Sequence, residues 1–175
     1  SSFMTMAESI QLHGKIHFDE SDIRTHMTTT DMVPGRCATP EETEGVLKRE
    51  MGHVLSRGQA IWWFDMRYGW FSDPKTLDLI GKLKHAADDT MTRSRKGSAE
   101  IAVIIDDKSW AACRPCTGME VGSEIEWPRV GASQDYYVLS DISNPKLPKH
   151  KLYVFMNAYW LTDSEIEAIH KRLKK

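Results

Sequence analysis

Residues 59–65, Gln-Ala-Ile-Trp-Trp-Phe-Asp, form an apolar run too continuous for a strand with one wet face. Such a strand needs cover on both sides, which favours a parallel sheet flanked by helices over a solvated hairpin. Its neighbours fit that demand. Upstream, Lys15 to Glu20 reads as a strand, and a polar loop from Asp22 to Ala38 follows. Thr39-Pro40-Glu41-Glu42 then opens a helix, with Thr39 as N-cap, Pro40 in the first turn and Glu42 closing a capping box. Leu47, Met51, Val54 and Leu55 give that helix an apolar stripe, and Gly58 ends it. Beyond the tryptophans, Asp73-Pro74 repeats the cap for a helix striped by Leu77, Ile80, Leu83 and Ala87. Residues 14–87 thus spell strand, loop, helix, strand, loop, helix. The loops after the strands are long and the loops after the helices short, as expected of parallel α/β units.

A second unit follows a polar, mixed-charge stretch from Asp88 to Ser98, read as a linker. Its strands are expected at 99–105, 136–139 and 151–156, with residues 117–134 as a long loop. Thr162-Asp-Ser-Glu165 is another capping box, starting a helix with Ile166, Ile169 and Leu173 on one face. Near the N-terminus, residues 5–13 suit a helix stopped by Gly14. The fold class is therefore α/β in two parts.

Composition narrows the functions. An apolar fraction of 41% with 27% charged residues is that of a globular chain. A net charge of -2 offers no basic footprint for nucleic acid or an anionic membrane. No apolar run approaches the roughly 20 residues of a spanning helix, and the first residues lack the pattern of a signal peptide. The compartment stays open, with the cytoplasm favoured. Three cysteines do not make a disulfide framework. Cys113 and Cys116, in Cys-Arg-Pro-Cys, lack a second ligand pair for zinc and read as reduced loop thiols. No metal or cofactor is expected.

The chemistry gathers at the strand ends of the first part. With two-residue alternation Ile16, Phe18 and Glu20 share a face, so Glu20 is expected to point into whatever the sheet encloses. A carboxylate there can serve as nucleophile or base, although pairing of Glu20 or Asp22 with Arg24 is the plainer explanation of the charges. Ile61, Trp63 and Asp65 share one face of the next strand, and Trp62 and Phe64 the other. Trp63 with Asp65 suits a sugar, the ring covering C–H groups and the carboxylate accepting from hydroxyls; Trp62 suits the core. Trp70, in a loop, is harder to explain by packing, and His26 is the one histidine placed near this site. Asp106-Asp107 has the look of a receiver-domain acidic pair, but the third strand carries Asn157 where a phosphoryl-accepting aspartate would stand.

Taken together, Glu20-Ser-Asp-Ile-Arg-Thr-His26, Trp62-Trp63-Phe64-Asp65-Met66 and Gly69-Trp70-Phe71 resemble the end of the catalytic barrel of family 42 of the glycoside hydrolases, the β-galactosidase-like enzymes. Ile101–Ser109, Asp135–Asp141 and Lys151–Ala158 are similar to that family's trimerisation domain, flavodoxin-like or glutamine-amidotransferase-like in fold. The resemblance implies residues 1–88 as the last β/α units of a (β/α)8 barrel, 89–98 as linker and 99–175 as the start of the trimerisation domain. It implies a retaining, two-carboxylate mechanism with Glu20 as nucleophile, and Trp63, Asp65, Trp70 and Arg24 around the carbohydrate. It also implies a homotrimeric full-length protein. Only about two of eight barrel strands are then present and the acid/base carboxylate lies elsewhere, so the expectation is an incomplete enzyme inactive alone. The competing expectation is a non-catalytic carbohydrate-binding or oligomerisation module.

Overall fold

The computed structural model describes residues 5–29, 35–93, 97–112 and 127–174. Among the described residues the chain is mixed α/β with two parallel sheets. It divides into two compact units, one of His17–Arg95 and one of Ser2–Ile16 with Lys96–Lys175. No described helix is long and apolar enough to cross a membrane.

In the first unit β1 (Phe18–Ser21) and β2 (Ala60–Trp63) pair in parallel, each followed by a long helix, α2 (Pro40–Ser56) and α3 (Pro74–Thr90). The expected caps are in place. Thr39 accepts from the Glu42 N–H at 3.2 Å, and Asp73 accepts from the Thr76 N–H at 2.9 Å. The Glu42 carboxylate reaches back to the Ala38 N–H, 2.6 Å away, one residue short of the reciprocal box. Gly58 ends α2 with a φ of 63°, in the left-handed region that a glycine enters without strain. Leu47, Met51 and Val54 of α2 are buried as expected, together with Ile23, Cys37 and Trp70 from the loops. The stripe on α3 is only half-buried, and Leu77 stands out in solvent.

In the second unit β3 (Ile101–Ile105) lies between β4 (Gln134–Val138) and β5 (Leu152–Phe155), all parallel. The short α4 (Asp107–Ala112) follows β3, and α5 (Asp163–Leu173) follows β5. The core holds Ala102, Ile104, Tyr137, Leu139, Ile142 and Leu147, with Ile169 of α5 packed against it. Ile166 and Leu173 are largely exposed, so the apolar stripe alone does not dock α5. Arg172 supplies the rest. Its guanidinium donates to the carbonyls of Ile142, Asn144 and Leu147 at 2.7–3.2 Å.

The N-terminal helix α1 (Ala7–Leu12) belongs to this second unit, not to residues 1–88 as expected. β4 is an edge strand, and an edge leaves N–H groups without ladder partners. Glu8 and Ser9 of α1 take two of them, accepting from Tyr136 at 3.0 Å and Val138 at 2.8 Å. His13, just past the helix, bonds the buried carboxylate of Asp141 at 2.7 Å. Sequence periodicity finds a helix but not the polar contacts that decide which sheet it covers. Cys113 and Cys116 and most of the expected 117–134 loop lie outside the described residues; 127–130 form a single 3-10 turn.

Candidate functional site

The register of the first sheet decides which side chains share a face. Phe18 pairs with Ala60, Asp19 with Ile61, Glu20 with Trp62 and Ser21 with Trp63. In a parallel pair, residues side by side in register point the same way. Glu20 therefore shares its face with Trp62, while Trp63 shares the opposite face with Asp19 and Ser21. This differs from the expected grouping of Glu20 with Trp63. Alternation along each strand is legible in sequence; the phase between two strands is not.

The two faces have opposite surroundings. Asp19 and Ser21 are buried, 6% and 4% exposed, and Trp63 is half-buried. Phe18 and Trp62, at 61% and 43%, form an aromatic surface beside the exposed Glu20. The Trp62 ring meets Phe64 edge-on, centroids 5.3 Å apart. Among the described residues Glu20 has no hydrogen bond or ion pair, and it is exposed.

The other expected site residues are used by the loops themselves. Asp65 accepts from the Arg67 N–H at 3.3 Å and the Trp70 N–H at 3.1 Å, folding residues 65–70 into a tight turn. Tyr68 and Gly69 take positive φ there, 67° and 84°. Trp70 is buried, 3% exposed, and its carbonyl accepts from the Thr25 hydroxyl, which ties the loop after β2 to the loop after β1. Trp70 thus packs the interior in place of lining an open subsite. Arg24 donates to the Asp22 carbonyl and pairs with its carboxylate, each at 2.9 Å, so its partner is Asp22 and not Glu20. His26 sits on Thr43 of α2, with its backbone N–H and Nδ1 both 3.0 Å from the hydroxyl oxygen.

Sequence reading passed over the buried charges behind the sheet. Asp19 keeps one carboxylate oxygen buried without a hydrogen bond, as does the indole N–H of Trp63. Glu50 of α2 is 3% exposed and receives the Arg49 guanidinium at 2.8 Å. Burial lowers the His53 pKa, Arg57 adding to the effect, while Glu50 and Asp19 oppose it. A carboxylate at an alternate position of a strand, such as Asp19, is the signal that could have pointed here. No described group of three or more His, Cys, Asp or Glu side chains is arranged to hold a metal ion.

The strand ends of the second unit carry a closed network. Asp106 is fully buried and accepts from the Ser109 hydroxyl at 2.6 Å and the Lys108 N–H at 3.2 Å. Asp107 is exposed at the first position of α4, so the acidic pair is split between two environments. Asn157 accepts from the Asp106 N–H at 2.7 Å and donates to the Asp106 carbonyl at 2.8 Å, fastening the end of β5 to the end of β3.

No family model, no curated protein and no solved structure matches the chain.

Proposed function

We propose that the first unit carries the nucleophile half of a retaining glycoside hydrolase site of the family-42 kind, with Glu20 as the nucleophile. Trp62 is the ring that meets the sugar, in place of Trp63. The observation that supports this reading is the pairing of Glu20, exposed and without a partner among the described residues, with Trp62 on the open face of a parallel sheet. A pyranose offers C–H groups on one side and hydroxyls on its rim, so a flat ring beside a carboxylate complements it. The parallel β–α–β–α order of the unit supports the barrel assignment, whose interior would lie on the Phe18, Glu20 and Trp62 side. In the second unit the first strand lies between the later two, the order in which flavodoxin-like domains begin, which supports the trimerisation-domain reading.

The competing reading is a carbohydrate-binding or oligomerisation module without catalysis. It is favoured by the structural use of Asp65, Arg24 and Trp70. The catalytic and the carbohydrate-binding readings both put the sugar on Trp62. Titration of the chain with galactose or lactose, followed by tryptophan fluorescence, tests that common ground. A weak, saturable response is expected, lost in Trp62→Ala, weakened in Glu20→Gln and kept in Trp63→Ala. No response, or one that survives Trp62→Ala, would overturn the proposal.

A further inference from the structure

Among the described residues Tyr68 is the one non-glycine with a positive φ, 67°, and it is 94% exposed. A side chain in the left-handed region crowds its own backbone, so a tyrosine there costs free energy that a glycine would not. Packing does not offset that cost, because nearly the whole residue stands in solvent. Folding alone therefore gives no reason for a large ring at this position.

The turn that presents the ring is fastened on both sides of it. Asp65 accepts from the N–H groups of Arg67 and Trp70, at 3.3 and 3.1 Å. Gly69 follows Tyr68 with a φ of 84°, and its carbonyl accepts from the Ser72 N–H at 3.2 Å and hydroxyl at 2.7 Å. Trp70 is buried, and the Thr25 hydroxyl donates to its carbonyl. The backbone at the tip is thus set by folding before any ligand arrives. A tyrosine has few rotatable bonds to still, so a ring held this way loses little freedom on binding.

The place of the turn gives the ring a use. Phe64 continues β2, its N–H donating to the Ser21 carbonyl at 3.2 Å, and its ring meets that of Trp62 edge-on. Asp65 opens the turn at the next position. Tyr68 therefore follows the same strand end that carries Trp62, beside the strand end that carries Glu20.

We propose that Tyr68 is a second sugar platform, which makes the ligand of this site an oligosaccharide and not a single galactose. The proposal rests on the reading of Trp62 as the first platform. Successive pyranose rings each present a C–H face, so two aromatic rings beyond one strand end engage two sugar units. Tyrosine adds a hydroxyl at the rim of its ring, which suits a ligand that is apolar on its faces and polar at its edges.

Calorimetric titration of the whole chain with galactose, lactose and galactotriose tests this. The two oligosaccharides are expected to bind on the order of fivefold more tightly than galactose. Tyr68→Gly should abolish that gain, bringing both down to the affinity for galactose, whereas Tyr68→Phe should keep it, because the ring makes the contact. Glycine accepts a φ of 67° without strain, so the thermal midpoint of Tyr68→Gly should stay close to that of the parent. Equal affinity for all three sugars, or a gain that survives Tyr68→Gly, would overturn the second platform and leave Trp62 standing. Binding of none of them would overturn both.

Discussion

Asn157 shows how much one atom decides. Its side chain gives a proton to the Asp106 carbonyl and takes one from the Asp106 N–H, which only an amide at that place can do. Aspartate would keep an acceptor for the N–H but set its other oxygen against the carbonyl oxygen. Asn157→Asp is therefore expected to cost about 2–4 kcal/mol, since a buried polar group loses its partner beside a carboxylate. Urea unfolding checks the value, and a neutral result would show that the amide does not fasten β5 to β3. In the sequence Asn157 counted only against a receiver domain, because its partner is 51 positions away. Glu20 and Trp62 carry the same lesson. Each residue's alternation was legible, but the parallel register that joins them is a tertiary fact.

The elements were written more plainly. Thr39-Pro40, Asp73-Pro74 and Thr162 each cap a helix where the sequence places it, because a cap is satisfied within four residues of chain. The box on α5 is complete, with Glu165 reaching back to the Thr162 N–H at 2.8 Å. Lys108 of α4 also bonds this carboxylate; that contact and the Thr162 N–H hold its pKa at about 2. A depressed carboxylate stabilises the fold above its ordinary value of 4.5 and loses that effect as pH falls toward 2. A carbon-13 titration of Glu165 should thus give a midpoint near 2 in the parent, moving toward 4.5 in Lys108→Met. An unmoved midpoint would remove Lys108 from the account. The Arg172 fork on three loop carbonyls lay beyond sequence reading, since a cation in a last turn has many possible partners.

At the scale of the molecule, each unit has buried side chains of its own. Leu47 is fully buried in the first unit and Ile104 in the second. Truncating a buried leucine costs about 2–5 kcal/mol, and distant sites without shared partners act independently. Leu47→Ala should therefore speed amide exchange across α2 and β2 while leaving β3, β4 and β5 protected. Equal losses in both units would mean that they unfold as one. The division itself differed from expectation at the N-terminus, where Glu8, Ser9 and His13 join α1 to β4 and Asp141.

By itself the sequence determined what depends on near neighbours: the capped helices, the apolar strands between them, the glycine stops and the α/β class. Those signals act over a few residues, through hydrogen bonds and periodicity that a linear text preserves. The tertiary structure decided which residues meet. It set Glu20 against Trp62, spent Asp65, Trp70 and Arg24 on the loops, and joined Asn157 to Asp106. Each depends on register or on chain closing from afar, and the physical reason is the same throughout: a buried polar group must find its partner wherever the fold brings one.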